Sequence, residues 1–250
     1  MSISYNPPRY LLRRYEILRH LRPGNRFIEI GAGNLKLSLD ILNSFEHGTA
    51  LDYSRYIESR YQALPASIQQ HLSLIIGDIQ QVDIKTQYDC AVSCEVMEHV
   101  EDDQLFIHQI NAVLCPGGQI ILSVPSRMKY WSIHDEIVGH LRRYERKDII
   151  KLFEDVGFED IEVLSYGFPF ANLLRLPRIL LAKKQQRRKQ HWDQRRQSED
   201  SGVHHASRFF NFLAIFVNRY TMLPLNIVAS FFNRFDWSDG YIILARKPKG

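Results

Sequence analysis

Phe27–Ser38 reads FIEIGAGNLKLS. Its first four residues, with Arg26 before them, form the short apolar run of a buried strand. From Asn34 to Phe45 the apolar residues Leu35, Leu37, Leu39, Ile41, Leu42 and Phe45 follow a helical spacing. Between the two lies Gly31-Ala32-Gly33. Glycines at a strand-to-helix corner let the backbone approach a ligand, and the first turn of the helix offers free N–H groups. Taken alone, the corner serves equally well as a tight turn, so the rest of the chain decides.

The alternation continues. Thr49–Leu51 reads as a strand ending at Asp52, Ser54–Leu64 as a helix, and Leu72–Ile76 as a strand ending at Gly77-Asp78. Asp89–Ser93 is a fourth strand, Asp102–Leu114 a helix stopped by Pro116-Gly117-Gly118, and Gln119–Val124 a fifth strand. Strands alternating with helices require a parallel sheet with right-handed crossovers, and ligands then bind at the carboxyl ends of the strands where strand order reverses. Beyond Val124, Ser126–Tyr144 reads as an irregular stretch rich in aromatic, His and Arg residues. Arg146–Val156 is a helix, Phe158–Leu164 a strand, Gly167–Ser238 a helical insert and Gly240–Ala245 a last strand. The expected fold is α/β and Rossmann-like. It has seven mostly parallel strands, helices on both faces and a helical cap inserted before the last strand. The core is 1–165 with 238–250, and the cap is 166–237.

Composition narrows the class. The chain has 250 residues, 45% hydrophobic and 24% charged, which excludes a disordered, collagen-like or disulfide-scaffold protein. Three cysteines, Cys90, Cys94 and Cys115, show no metal-ligand spacing, so no metal is expected and a reducing, cytoplasmic setting fits. The start lacks the pattern of a signal peptide and no run of 18 apolar residues exists. Lys183–Arg196 carries seven basic residues and one Asp, a local +6, against +4 for the whole chain. The rest is therefore slightly acidic, which argues against a broad nucleic-acid face.

Carboxylates stand at successive strand ends: Glu29, Asp52, Asp78 and Glu95. Asp52 lies nineteen residues after Gly33, where a carboxylate can accept from ribose hydroxyls. A nicotinamide fingerprint would need a glycine where Lys36 stands, and a diphosphate would be poorly served by an acidic rim. That rim suits a cationic ligand, and S-adenosylmethionine carries a sulfonium and an ammonium.

The runs FIEIGAGNLKLS, ALDYS, IIGDIQQVD, YDCAVSCEVMEHVEDD and VLCPGGQIILSVPSR resemble the successive motifs of class I S-adenosylmethionine-dependent methyltransferases. Within that family they look most like the small-molecule branch of ubiquinone and polyketide O- and C-methyltransferases. The resemblance covers about 1–165 and the final strand. It implies that Gly31, Ala32 and Gly33 line the methionine part of the cofactor, with Glu29 in the rim behind them. Asp52 would bind the ribose and Tyr53 lie beside the adenine, which Asp78 and Ile79 hold. Cys94 would supply backbone contacts near the sulfonium, and His99 would close that loop. It implies six parallel strands with a seventh, antiparallel, slotted between the fifth and sixth. One departure is Leu35, where the family often has a third glycine.

Methyl transfer from a sulfonium needs alignment and often removal of a proton. The N-methylation signature is absent after the fourth strand, where Ser93-Cys94-Glu95-Val96 stands. His140 and His134 are the candidate bases, six residues apart in the expected loop. Tyr130, Trp131, Arg143 and Tyr144 of the same stretch are candidate acceptor contacts, although Arg142, Arg143 and Tyr144 serve equally well as anchors to the next helix. Arg13 or Arg14 can reach the cofactor carboxylate or lie on a solvated face. O-methylation of a small, apolar or aromatic acceptor is the leading expectation. Its rivals are an RNA methyltransferase using the basic arm, a membrane- or lipid-linked acceptor, and a membrane scaffold without chemistry. The apolar block Phe209–Phe235 is compatible with simple packing, with a homodimer through the cap and with peripheral membrane contact.

Overall fold

A computed structural model of the chain describes residues 6–176, 179 and 217–250. In chain order its elements are α1 (Pro8–His20), β1 (Gly24–Ile30), α2 (Lys36–Ile41), β2 (Phe45–Asp52), α3 (Tyr56–Gln62), α4 (Ala66–Gln69), β3 (Leu72–Ile76) and β4 (Tyr88–Cys94). There follow α5 (Asp103–Val113), β5 (Leu114–Pro125), α6 (Ile133–Val138), α7 (Arg146–Asp155), β6 (Glu159–Ser165), α8 (Phe170–Leu173), α9 (Leu223–Ser230) and β7 (Gly240–Arg246). The seven strands form one sheet in the order β3-β2-β1-β4-β5-β7-β6. Pairings from β3 through β5 are parallel, and β7 runs antiparallel to both β5 and β6. Strand order reverses between β1 and β4, so the crevice for a ligand opens at their carboxyl ends.

Alternation along each strand builds two cores. Ile28 and Ile30 of β1 and Ile120, Leu122 and Val124 of β5 join α5 and α7 on one face. Phe27 and Ile121 point to the other face, where they meet Leu11, Leu12 and Ile17 of α1 and Leu37 and Ile41 of α2. Helices therefore cover both faces, as the sequence implies.

Three local expectations are corrected. The helix expected over 34–45 is only α2 and a single 3-10 turn, because the chain must enter β2 at Phe45 to pair with Gly24. Phe45 itself packs on Phe27, ring centroids 5.4 Å apart. Pro116-Gly117-Gly118 does not separate α5 from the fifth strand. Leu114 already pairs with Tyr88, and the turn is an irregularity inside β5, where Gly117 takes φ +77° and its N–H donates to Lys247 O at 3.0 Å. The stretch 126–144 is not irregular throughout, because it contains α6. Ser132 N and Oγ donate to Asp135 Oδ2 at 2.8 and 3.0 Å, closing the first turn, and Gly139 ends the helix at φ +80°. The basic arm Lys183–Arg196 and the start of the apolar block Phe209–Phe235, as far as residue 216, lie outside the described residues.

Candidate functional site

The corner after β1 is fixed from below by β2. Gly31 N and Ala32 N donate to Leu51 O at 2.8 and 3.2 Å. Asp52 closes the corner with both oxygens: Oδ2 accepts from Gly33 N at 2.7 Å and Oδ1 from Ser54 N at 2.9 Å. Gly31 has φ +76°, and a Cβ there would lie 2.3 Å from Val96 Cγ2, so only glycine fits between the turn and the loop after β4. Leu35 takes φ +63° at the start of α2. The left-handed cost that a glycine would escape is therefore borne by a buried leucine. Glu29 is buried beneath the corner and accepts from the Ser38 hydroxyl. Burial pushes its carboxyl up to about 8 against the pull of Ser38. At the end of β3, Asp78 Oδ1 accepts from Gln80 N at 2.9 Å, which leaves Ile79 buried; Tyr53 is half-buried after β2.

The loop after β4 differs from the expected acidic rim at one position. Glu95, at φ +56°, lies 3.2 Å from Arg13 Nη1 and 3.6 Å from Arg9 Nη2, and accepts from Ser123 Oγ at 3.1 Å. Burial opposes its ionisation, yet the two arginines pull it down to about 2. The rim at Glu95 is thus charge-compensated by Arg9 and Arg13. Arg9 also pairs with Asp239 at 2.8 Å, which ties α1 to the segment entering β7. Arg14 instead faces Asp40, with Nη2 to Oδ1 at 2.6 Å. Burial raises the Cys94 thiol to about 12, which leaves it inert as a nucleophile.

His140 belongs to a buried polar cluster between the loop after β4 and α6. Its Nδ1 lies 2.9 Å from Asp135 Oδ1, which also accepts from Arg143 Nε at 2.8 Å. Asp135 is fully enclosed; burial favours its acid form, but His140 and Arg143 hold the carboxyl well below the usual range. A carboxylate on Nδ1 fixes that atom as the N–H donor, so Nε2 carries the lone pair of the neutral ring. Nε2 faces Glu98 Oε1 at 3.6 Å. Glu98 is wholly buried, neither carboxyl oxygen has a hydrogen-bond partner among the described residues, and burial with Glu95 nearby drives its carboxyl well up. His99 Nδ1 donates to Gly139 O at 3.0 Å, and its ring meets His140 edge-on at 4.8 Å. Burial and the neighbouring His140 lower His99 to about 4, so it is neutral. Glu98, His99 and His140 place one ligand atom each within 4.8 Å of one another, a set able to hold a metal ion that the sequence reading did not foresee.

His134 sits half-buried on the first turn of α6, not in a loop. Arg143 and Tyr144 are enclosed by the protein. Arg143 Nη1 donates to Ser126 O at 3.1 Å, and Tyr144 Oη lies 3.1 Å from both Met97 O and Asp103 Oδ2, which share its one proton. Trp131 Nε1 donates to Glu136 at 3.5 Å, and Tyr130 Oη to Trp237 O at 3.2 Å. Sequence reasoning missed Asp135, Glu98 and Arg9. A helix-start pattern, Ser132 followed three residues on by Asp135, marks the first of them.

Comparison with known proteins shows what the whole chain is similar to. A family model described as a methyltransferase domain matches residues 4–163. A probable S-adenosylmethionine-dependent methyltransferase of Mycolicibacterium smegmatis is 26% identical over 166 residues, 62% of this chain and 62% of that protein. The mitochondrial ubiquinone biosynthesis O-methyltransferase of Schizosaccharomyces pombe is 27% identical over 112 residues, 44% of this chain and 41% of that protein. The chain therefore spans less than two thirds of the length of either curated relative. The N-methyltransferase NodS of Bradyrhizobium japonicum, solved with S-adenosylhomocysteine, shares the fold with a TM-score of 0.54 at 14% identity, covering 96% of this chain and 85% of that one. With a family model matched over most of its length and the seven-stranded sheet to go with it, this chain belongs to the methyltransferase domain family.

Proposed function

We propose that the protein transfers a methyl group from S-adenosylmethionine to a small aromatic or apolar acceptor, with O-methylation favoured. The observation that carries the reading is the Gly31–Gly33 corner backed by Glu29, Asp52 and Asp78 at the ends of three adjacent strands. These residues suit the cofactor: the raised Glu29 carboxyl is the buried acid that a ligand ammonium would return to its charged form. When bound, S-adenosylmethionine supplies an electrophilic methyl. Asp52 and Tyr53 would hold the ribose and the near side of the adenine, Asp78 and Ile79 its far side. Gly31, Ala32, Gly33 and Cys94 would line the methionine end, with His99 fixing the loop. The two arginines on Glu95 put Arg13 where it can meet the cofactor carboxylate.

His140, rather than His134, is the better candidate for the base, because Asp135 orients its ring and leaves Nε2 the lone pair. General-base assistance of this kind contributes roughly 10²–10⁴-fold. Arg143 and Tyr144 act on that base indirectly, by pinning Asp135 and the loop. The test is transfer of labelled methyl from the cofactor to a panel of phenols and carboxylic acids. The reading expects label in at least one oxygen acceptor and a kcat about 10²-fold lower in His140→Asn. A protein that binds the cofactor yet labels none of the panel, or a His140→Asn variant with unchanged kcat, contradicts it.

A further inference from the structure

The stretch after β5 gathers cations that the methyl-transfer chemistry leaves unused. Tyr130 is at their centre. The guanidinium carbons of Arg127 and Arg175 lie 4.8 and 4.9 Å from its ring centroid, and the Lys129 ammonium lies 5.3 Å away. Ring contacts of this kind contribute only about 0.5–1 kcal/mol each at exposed sites, which does not explain why three like charges converge. Arg127 has protein partners: Nη2 donates to Tyr130 Oη at 2.8 Å and to Ser238 O at 3.3 Å, and Nη1 lies 3.5 Å from Asp236. Among the described residues, Asp236 is the only carboxylate in an ion pair with this group. It is shared with Arg146 at 3.9 Å and accepts from Tyr241 Oη at 2.5 Å. Arg175 donates Nη2 to Tyr130 O at 3.2 Å, while its buried Nε finds no acceptor among the described residues.

Two further observations give the cluster a direction. Arg127 has φ +51° and ψ 125°, a conformation that a side-chain-bearing residue keeps only where its surroundings demand it, and such strain gathers at ligand sites. Trp237, whose carbonyl accepts from Tyr130 Oη and from Asn172 Nδ2 at 2.8 Å, stacks on Phe235 with centroids 4.7 Å apart. Both rings are half-exposed, at 47% and 49%. Among the described residues, cations short of counter-charge thus adjoin an aromatic wall. Arg127 follows the carboxyl end of β5, and Ser238, which it holds, precedes the Asp239 that Arg9 holds.

We infer that Arg127, Lys129 and Arg175 around Tyr130 form the seat for an anionic head, a phosphate or a carboxylate, of an acceptor whose aromatic or apolar body lies against Phe235 and Trp237. The inference rests on the methyl-transfer reading only in calling that ligand the acceptor, so its test measures binding. The full chain is titrated calorimetrically with phenyl phosphate, benzoate and phenol, with and without S-adenosylhomocysteine. At least one anion binds about tenfold or more tighter than phenol, and the preference shrinks between about 0.05 and 0.5 M salt. The tighter anion tells a phosphate head from a carboxylate head. Arg175→Gln brings the preferred anion near parity with phenol, and Arg175→Lys restores much of the preference. Phenol binding as tightly as both anions, or an undiminished preference in Arg175→Gln, overturns the inference. Should Arg175→Gln lose its fold by circular dichroism, the exposed Lys129→Gln decides: a several-fold loss supports the seat and no loss overturns it. Failure of S-adenosylhomocysteine to bind while the anion preference persists would defeat the methyl-transfer reading and leave the seat standing.

Discussion

Leu35 shows how one residue settles between two demands. Its φ of +63° costs about 1–2 kcal/mol, which a glycine would avoid. Its side chain is buried, and a core leucine contributes about 2–5 kcal/mol over a truncated one. Burial wins, so Leu35→Gly is expected to lower stability by about 1–3 kcal/mol in urea unfolding; a more stable variant would show that the strain dominates. Glu29 makes a second, pH-dependent case. Its folded carboxyl is raised to about 8 while the unfolded one stays at its ordinary value near 4.5. The folded state therefore holds the extra proton between these values, and stability falls as pH rises from about 5 to about 8. His99 works the other way over a range that starts lower and overlaps this one. Lowered to about 4, it stays neutral while the unfolded ring takes up a proton below about 6.5, so stability rises with pH between those values. In thermal melts Glu29→Gln is expected to remove the fall in stability toward pH 8, and His99→Asn the loss of stability toward pH 4, the two effects opposing each other where the ranges overlap; unchanged profiles would contradict both assignments.

Among the elements, α1 and α6 carry the parts of the site that sequence periodicity does not reveal. Helix α1 delivers Arg9 and Arg13 to Glu95, and Arg9 reaches on to Asp239 across most of the chain length. Helix α6 delivers Asp135, whose partners His140 and Arg143 lie just past its end. Leaving one member of such a buried pair without its partner costs about 3–5 kcal/mol, so Asp135→Ala should unfold at far lower denaturant than the wild type, and Arg142→Ala, on the half-exposed Asp103 pair, should cost under about 1 kcal/mol. Equal costs for the two would show that burial does not set the strength of these pairs. Strands β1, β3 and β4 are legible in the sequence to within a residue or two, because parallel strands buried on both faces read as plain apolar runs. The start of β2 at Phe45 and of β5 at Leu114 is not legible, because each is set by pairing with a distant strand. The Gly31–Gly33 corner and the strand-end acids can be read because the sheet repeats their position. The Glu98–His99–His140 cluster cannot, because it joins segments forty residues apart through a short helix that only its Ser132–Asp135 start announces.

Across the whole molecule, one sheet with a single reversal of strand order places the glycine corner, the strand-end acids and the arginine-backed loop on the same edge. Among the described residues no helix is long and apolar enough to cross a membrane. On the proposed reading that edge takes a cationic nucleoside ligand, and Asp52, bonded to Gly33 N and Ser54 N, is the residue that ties the corner to the end of β2. Calorimetric titration with S-adenosylhomocysteine tests this most directly, on the wild type and on Asp52→Ala. Saturable one-to-one binding that weakens by about tenfold or more in the variant is the predicted result, since a charge-assisted hydrogen bond contributes about 1.5–3 kcal/mol. No binding by a folded wild type, or equal affinity in Asp52→Ala, would contradict the account.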